Sequence, residues 1–250
     1  MNRPSILFVS LVFLVAGGSC GRPNREVPNK SAQVNRTTTT NNRPGRIIST
    51  TNSNSSTRLN QVAPLPTNKK YTGTQIFEMY NPAVFTVYTS TGVNDYQGSG
   101  FFIGRNVAVS NYHVFKGTGR GLEHIKLYNG TLCKVNKVIA YDDEEDYIVF
   151  EVNYDCPRFI PLASSKPMVG EKCYAIGSPR GLENTFSSGE ISQLRGANDI
   201  QISVPIDHGS SGGVLLNEYG EAIGITSAGL DDSGANLNFA ISIDLVRKYK

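Results

Sequence analysis

Two features of this chain have residue types suited to chemistry: the stretch Gly209-Ser210-Ser211-Gly212-Gly213, and a lone histidine, His113, 98 residues upstream of Ser211. A serine hydroxyl is a poor nucleophile at neutral pH. It becomes useful when a base removes its proton and backbone N–H groups receive the developing oxyanion. Glycines beside the serine allow a tight turn that points successive N–H groups into one pocket. Taken alone, the pentapeptide only modestly favours catalysis over a surface turn, and His113 in isolation reads as a satisfied, partly buried histidine. The surrounding chain has to decide between these readings.

Such chemistry needs a third group, a carboxylate that fixes the tautomer of the base and stabilises its cation. The run Asp142-Asp143-Glu144-Glu145-Asp146 offers five acids, and an acid run is usually a solvated loop. Asp146 differs because it directly precedes the apolar run Tyr147-Ile148-Val149-Phe150, which draws its side chain toward a core. The other four are expected to face water, with Asp143 the fallback. His113 follows the apolar strand pattern Val107–Ser110, a rigid support for its ring.

The elements that must position these groups are short. Thr74–Tyr80 reads as a helix that ends before Asn81-Pro82, since the residue before a proline is biased out of the helical region. Twelve runs rich in β-branched and aromatic residues follow, separated by Gly, Asn and Asp. The first six are 83–88, 100–103, 107–110, 124–128, 134–140 and 147–152. The second six are 172–176, 186–193, 200–204, 213–216, 222–226 and 237–241. This spacing predicts an all-β barrel or sandwich, with two groups of six inviting a two-barrel reading. Ile243–Tyr249 reads as a terminal helix.

The first 70 residues are a different material. They hold ten Lys or Arg against the single acid Glu26, whereas residues 71–250 hold 14 basic and 20 acidic side chains. Met1-Asn2-Arg3 and the apolar run Ile6–Ala16 have the form of an export signal over residues 1–20, too short to span a bilayer, which takes ~20 apolar residues. Gly17-Gly18-Ser19-Cys20 resembles a lipobox, with Gly17 where a larger aliphatic residue is usual; acylation of Cys20 and plain signal cleavage both stay open. Residues 21–70, rich in Asn, Thr, Ser and Pro, bury too little apolar surface to offset ordering and are expected to form a disordered tether. Export leads to the periplasm, to a membrane anchored through a lipidated Cys20, or to secretion.

Cys133, Cys156 and Cys173 are an odd set, so at least one is free unless it pairs between chains. No Cys-x-x-Cys occurs, and His113, His124 and His208 are scattered. A metal site, a cofactor and a nucleic-acid partner are not expected.

Six ordered blocks then resemble one family. Gly98-Ser99-Gly100-Phe101-Phe102-Ile103 is similar to its glycine-rich strand opening, and Ser110-Asn111-Tyr112-His113-Val114 to its Thr-Asn-x-His-Val. Asp146–Phe150 is similar to Asp-Leu-Ala-Val-Leu. Ala175-Ile176-Gly177-Ser178-Pro179, Gly181-Leu182 and Ser188–Ser192 follow in order. Gly209–Gly213 stands for Gly-Asn-Ser-Gly-Gly, and Leu215–Asn217, Gly224-Ile225 and Asn238–Ile241 complete the match. The chain, over about residues 74–248, resembles the trypsin-fold serine proteases, most closely their high-temperature-requirement (HtrA/Deg) branch.

That resemblance implies an all-β, chymotrypsin/trypsin-like domain over 71–250: two six-stranded antiparallel barrels, at about 83–155 and 160–242, with short N- and C-terminal helices. It assigns His113 as base, Asp146 as orienter and Ser211 as nucleophile, with the N–H groups of Gly209 and Ser211 as oxyanion hole. Ser210 stands where digestive trypsins carry an aspartate, so activation by a new amino terminus is not expected. Many relatives carry a PDZ domain; none is expected here. The pocket for the residue before the scissile bond is expected to have its floor near Pro205 and Ile206, its walls at Thr226, Ser227, Ala228, Asn238 and Phe239, and His208 at its rim. No aspartate there pairs a substrate Lys or Arg, which suggests an aliphatic preference, with an acidic one left open by His208. The implied partners are protein or peptide substrates and, as trimers are common among relatives, a homo-oligomer. The competing readings are a catalytically silent binding protein on the same scaffold and a structural surface lipoprotein.

Overall fold

The computed structural model describes residues 69–119, 121–178, 184–230 and 237–250, with the side chains of 228–230 set aside. The export segment, Cys20 and residues 21–68 of the expected tether lie outside the described residues, as do Pro179, Gly181 and Leu182.

Helix α1 (Gly73–Tyr80) starts one residue before its expected position because Thr72 and Gln75 form a reciprocal cap. The Gln75 N–H donates to the Thr72 hydroxyl, and the Thr72 N–H donates to the Gln75 side-chain carbonyl. A 3₁₀ turn, Asn81–Ala83, with Pro82 near its start, leads into the first strand.

Strands β1 (Val84–Ser90), β2 (Asp95–Phe102), β3 (Val107–Ser110), β4 (His124–Leu127), β5 (Leu132–Asp142) and β6 (Tyr147–Val152) close one barrel in the order β1-β2-β3-β6-β5-β4. Strands β7 (Lys172–Gly177), β8 (Thr185–Arg195), β9 (Asp199–Ile202), β10 (Val214–Asn217), β11 (Ala222–Leu230) and β12 (Leu237–Ser242) close a second, in the order β10-β11-β12-β9-β8-β7. Read around the ring, the two orders are the same, so the topology repeats although the sequence carries no repeat strong enough to see. All pairings in both barrels are antiparallel.

The strands run longer than their apolar signals where side chains face solvent. β2 begins at Asp95, paired with Ser90 across the hairpin, and β5 extends from Leu132 to Asp142 with mostly exposed positions. The terminal helix is a 3₁₀ segment, Ile243–Tyr249. Ile243 and Val246 are buried and Tyr249 packs beside them, a three-residue spacing that suits three residues per turn.

Strand alternation builds two cores. On β7, Cys173 and Ala175 point into the second barrel, while Tyr174 and Ile176 join the apolar cluster that fills the first barrel and the seam. On β10, Leu215 points into the second barrel, and Val214 and Leu216 to the shared cluster. Period-two alternation thus gives a single strand both an interior and a docking face.

Candidate active site

β3 lies between β2 and β6 in the first barrel, and His113 sits in the turn just beyond its end. Asp146 directly precedes β6 and takes a left-handed backbone, φ 54°, that aspartate tolerates better than most residues. Its carbonyl accepts from the Asn111 amide at 2.9 Å and from the Tyr112 N–H at 3.3 Å. The Asp142 carboxylate accepts the N–H groups of Glu144 and Glu145 and so tightens the same turn.

With its backbone fixed, Asp146 turns its side chain to His113. One oxygen accepts the His113 backbone N–H at 2.8 Å, and the other lies 2.7 Å from Nδ1. A carboxylate only accepts, so this contact puts a ring hydrogen on Nδ1, and in the neutral imidazole Nε2 is then the acceptor. The histidine side chain is 30% exposed and the aspartate 14%. The pair is reachable from solvent at the imidazole and shielded at the acid.

Two of the remaining acids depart from the expectation that they face water. Asp142 and Glu145 are half-buried, because Asp142 caps the turn and Glu145 accepts from the Asn198 amide of the second barrel at 2.9 Å. Asp143 is exposed and pairs with Lys116 at 2.9 Å, away from the imidazole contact.

Ser211 is buried in a loop whose backbone is held by several hydrogen bonds. The Ser210 N–H donates to Asp207, that of Gly213 to Ser210, and that of Gly212 to Thr226, while the Thr226 hydroxyl donates to the Ser210 carbonyl at 2.8 Å. The N–H groups of Gly209 and Ser211 donate to no acceptor among the described residues. Gly209 has φ 90°, which sets its peptide in a conformation L side chains rarely adopt.

The loop seats on the end of β3. A Cβ at Gly212 would overlap the Ser99 carbonyl and the Ser110 hydroxyl and lie 3.1 Å from the Asn111 nitrogen. The Ser211 carbonyl accepts the Ser99 N–H at 2.7 Å. A Cβ at Gly98 would meet both Val114, at 2.7 Å, and that carbonyl, at 3.1 Å. Ser211 therefore lies against the segment that flanks His113 on both sides.

Of the residues expected around the pocket, Thr226, Ser227 and Asn238 are buried, Ile206 and Phe239 half-buried, and Pro205 and His208 exposed. Asn238 reaches from β12 to donate to the Val204 carbonyl at 2.9 Å, and Ser227 pairs with Phe239 across β11 and β12. The Ala228 side chain lies outside the described residues. Cys133, Cys156 and Cys173 are buried free thiols, and burial pushes Cys156 up to about 11 and Cys173 up to about 12. Among the described residues, no cluster of His, Cys, Asp and Glu could hold a metal ion, and no helix is long and apolar enough to cross a membrane.

Sequence reasoning missed Ser99 as more than part of a motif. Its hydroxyl bonds to backbone groups 79 and 110 residues away, so no local pattern announces it.

The family described as a trypsin-like peptidase domain matches residues 98–225. The chloroplastic Protease Do-like 5 of Arabidopsis thaliana is 33% identical over 175 residues, covering 60% of this chain and 54% of its own. The serine endoprotease DegS of Haemophilus influenzae is 30% identical, covering 66% of this chain and 55% of its own. The chain thus spans about half the length of these curated relatives. Among solved structures, the HtrA-type protease AlgW with tripeptide superposes with a TM-score of 0.64 at 27% identity, covering 71% of this chain and 62% of that one.

Proposed function

Because the chain belongs to the trypsin-like peptidase family, with relatives of the HtrA and Deg type, we propose that it is an exported serine endopeptidase that hydrolyses unfolded or misfolded protein substrates. The observation that carries this reading is the 2.7 Å contact between His113 Nδ1 and Asp146, beside a loop that presents Ser211 and two uncommitted N–H groups.

In the proposed cycle the Ser211 oxygen attacks the scissile carbonyl carbon while His113 Nε2 takes the hydroxyl proton. Asp146 keeps the ring oriented through Nδ1–H and stabilises the imidazolium. The carbonyl oxygen becomes an oxyanion and accepts from the Gly209 and Ser211 N–H groups. Collapse breaks the C–N bond, His113 gives its proton to the leaving amine, and an acyl-enzyme remains. Water repeats the sequence with His113 as base, releasing the acid and free Ser211.

The Thr226 hydroxyl and the Asn238 amide nitrogen already donate to backbone carbonyls, and neither residue carries a carboxylate, which supports a pocket for aliphatic side chains rather than for Lys or Arg. The second reading, a silent binding protein, is separated by one experiment. A fluorophosphonate probe is expected to label the wild type and not Ser211→Ala, and only the wild type is expected to cleave denatured casein. Folded wild-type protein that neither labels nor cleaves would support the binding reading.

A further inference from the structure

We propose that Ser99 is a positioning residue for the oxyanion pocket, held in place by a partly buried hydrogen-bond chain that starts at Asn184. The inference rests on the endopeptidase reading above.

Ser99 lies on β2 in the first barrel and is fully buried. Its N–H donates to the Ser211 carbonyl, and its own carbonyl accepts the Ser110 hydroxyl at 2.7 Å. Its hydroxyl has two neighbours in the second barrel: the Ser178 N–H at 2.8 Å and the Gly209 carbonyl at 2.7 Å. The Ser178 N–H can only donate. The single hydroxyl hydrogen therefore goes to the Gly209 carbonyl, and the direction of the chain is fixed.

This bond clamps the Gly209–Ser210 peptide at both ends. Its carbonyl is held by Ser99, and its N–H by the Asp207 carbonyl at 2.9 Å. The N–H that faces an oxyanion belongs to the preceding peptide, His208–Gly209, which can swivel only about the bonds on either side. Fixing one neighbouring plane removes part of that freedom, and preorganised donors are what this type of catalysis requires. A Cβ at Gly177 would lie 3.2 Å from the Ser99 hydroxyl and 3.4 Å from Ser210 Cα, so the clamp is closely packed.

The chain continues away from the pocket. The Ser178 hydroxyl donates to the Asn184 side-chain carbonyl at 2.7 Å. The Asn184 amide in turn faces the Asn81 side-chain oxygen at 2.7 Å and the carbonyls of Asn81 and Val84, each at 3.0 Å. The orientation of the pocket is thus tied to the segment that leads into β1. Ser210 leaves no carboxylate beside the nucleophile to serve this purpose, and the serine–asparagine chain supplies the restraint by neutral bonds.

The test compares Ser99→Ala and Ser178→Ala with the wild type in the full chain. The readouts are kcat and KM on a fluorogenic peptide drawn from a casein cleavage site, inhibition by a peptide boronate, and circular dichroism. Ser99→Ala is expected to lower kcat by roughly 10–100-fold. KM should stay within about threefold and boronate affinity should fall in step with kcat, because the clamp serves the tetrahedral state rather than the bound substrate. Ser178→Ala keeps its N–H, and a smaller loss of the same pattern, about 3–10-fold, is expected from loosening one hydrogen-bonded link. Should Ser99→Ala fail to fold, Ser178→Ala decides alone. Native-like variants with kcat within about twofold of wild type, or losses confined to KM, would overturn the proposal. Wild type that cleaves nothing and ignores the boronate would overturn the endopeptidase reading and this inference with it.

Discussion

His113 and Asp146 are set by bonds made inside the first barrel: Asn111 and Tyr112 fix the Asp146 backbone, and Asp142 closes its turn. The Gly209–Gly213 loop belongs to the second barrel but takes its shape from both, through Thr226 and Asp207 on its own side and Ser99 on the other. The His113–Asp146 pair can be assembled by one barrel folding. The Gly209–Gly213 loop reaches its final form only when the two barrels dock. Chemistry and stability should therefore separate at the first site and move together at the second.

The largest effect that sharpens this contrast is at Asp146. Asp146→Asn is expected to lower kcat by about 10⁴-fold through loss of the correct tautomer. The backbone bonds from Asn111 and Tyr112 remain, so the thermal midpoint should barely change. A large fall in the midpoint would break the comparison. Gly212→Ala tests the other side. The added Cβ overlaps Ser99 and Ser110 at φ 89°, and a strained backbone of this kind costs about 1–3 kcal/mol. Activity on casein and the urea midpoint should fall together, and loss of activity at unchanged stability would contradict a loop seated by docking.

The smallest effect concerns the two cores. Cys156 packs in the shared cluster and Cys173 in the second barrel, and burial raises the first thiol from 9.0 to about 11 and the second to about 12. Above pH 9 the unfolded chain releases these protons while the native protein keeps them, so stability falls as pH rises toward 12. Burial raises Tyr80 to about 12 as well, which adds to the same trend. Urea midpoints at pH 8 and pH 10.5 should show the loss. Replacing Cys173 with alanine should flatten it more than replacing the less strongly raised Cys133.

Much of the fold was legible because each strand carries its own apolar signature and its own punctuation. Val107–Ser110 and Tyr147–Val152 begin and end where the pattern does. The ends of β2 and β5 were not legible, since solvent-facing residues there are held by pairing rather than burial. Asp146 stood out among five acids because an apolar strand follows it, yet its left-handed backbone left no mark in the sequence. The half-burial of Asp142 and Glu145 was equally hidden, since one caps a turn and the other reaches Asn198 across the seam. Ser99 was the hardest to see. A serine between two glycines looks like strand punctuation, and only three dimensions bring the Ser178 and Gly209 backbones to its hydroxyl.

The two ends of the domain cross between the barrels. Helix α1 packs on the second barrel, Phe77 against Phe186, before the chain begins the first barrel at β1. After finishing the second barrel, the chain returns to the first, where Tyr249 packs on the apolar cluster that holds Tyr147 of β6. Each half thus wears a strap that grows from the other. A single nick in the connection between Val152 and Lys172 would leave the halves laced together, and heating should release them in one cooperative step rather than one barrel at a time.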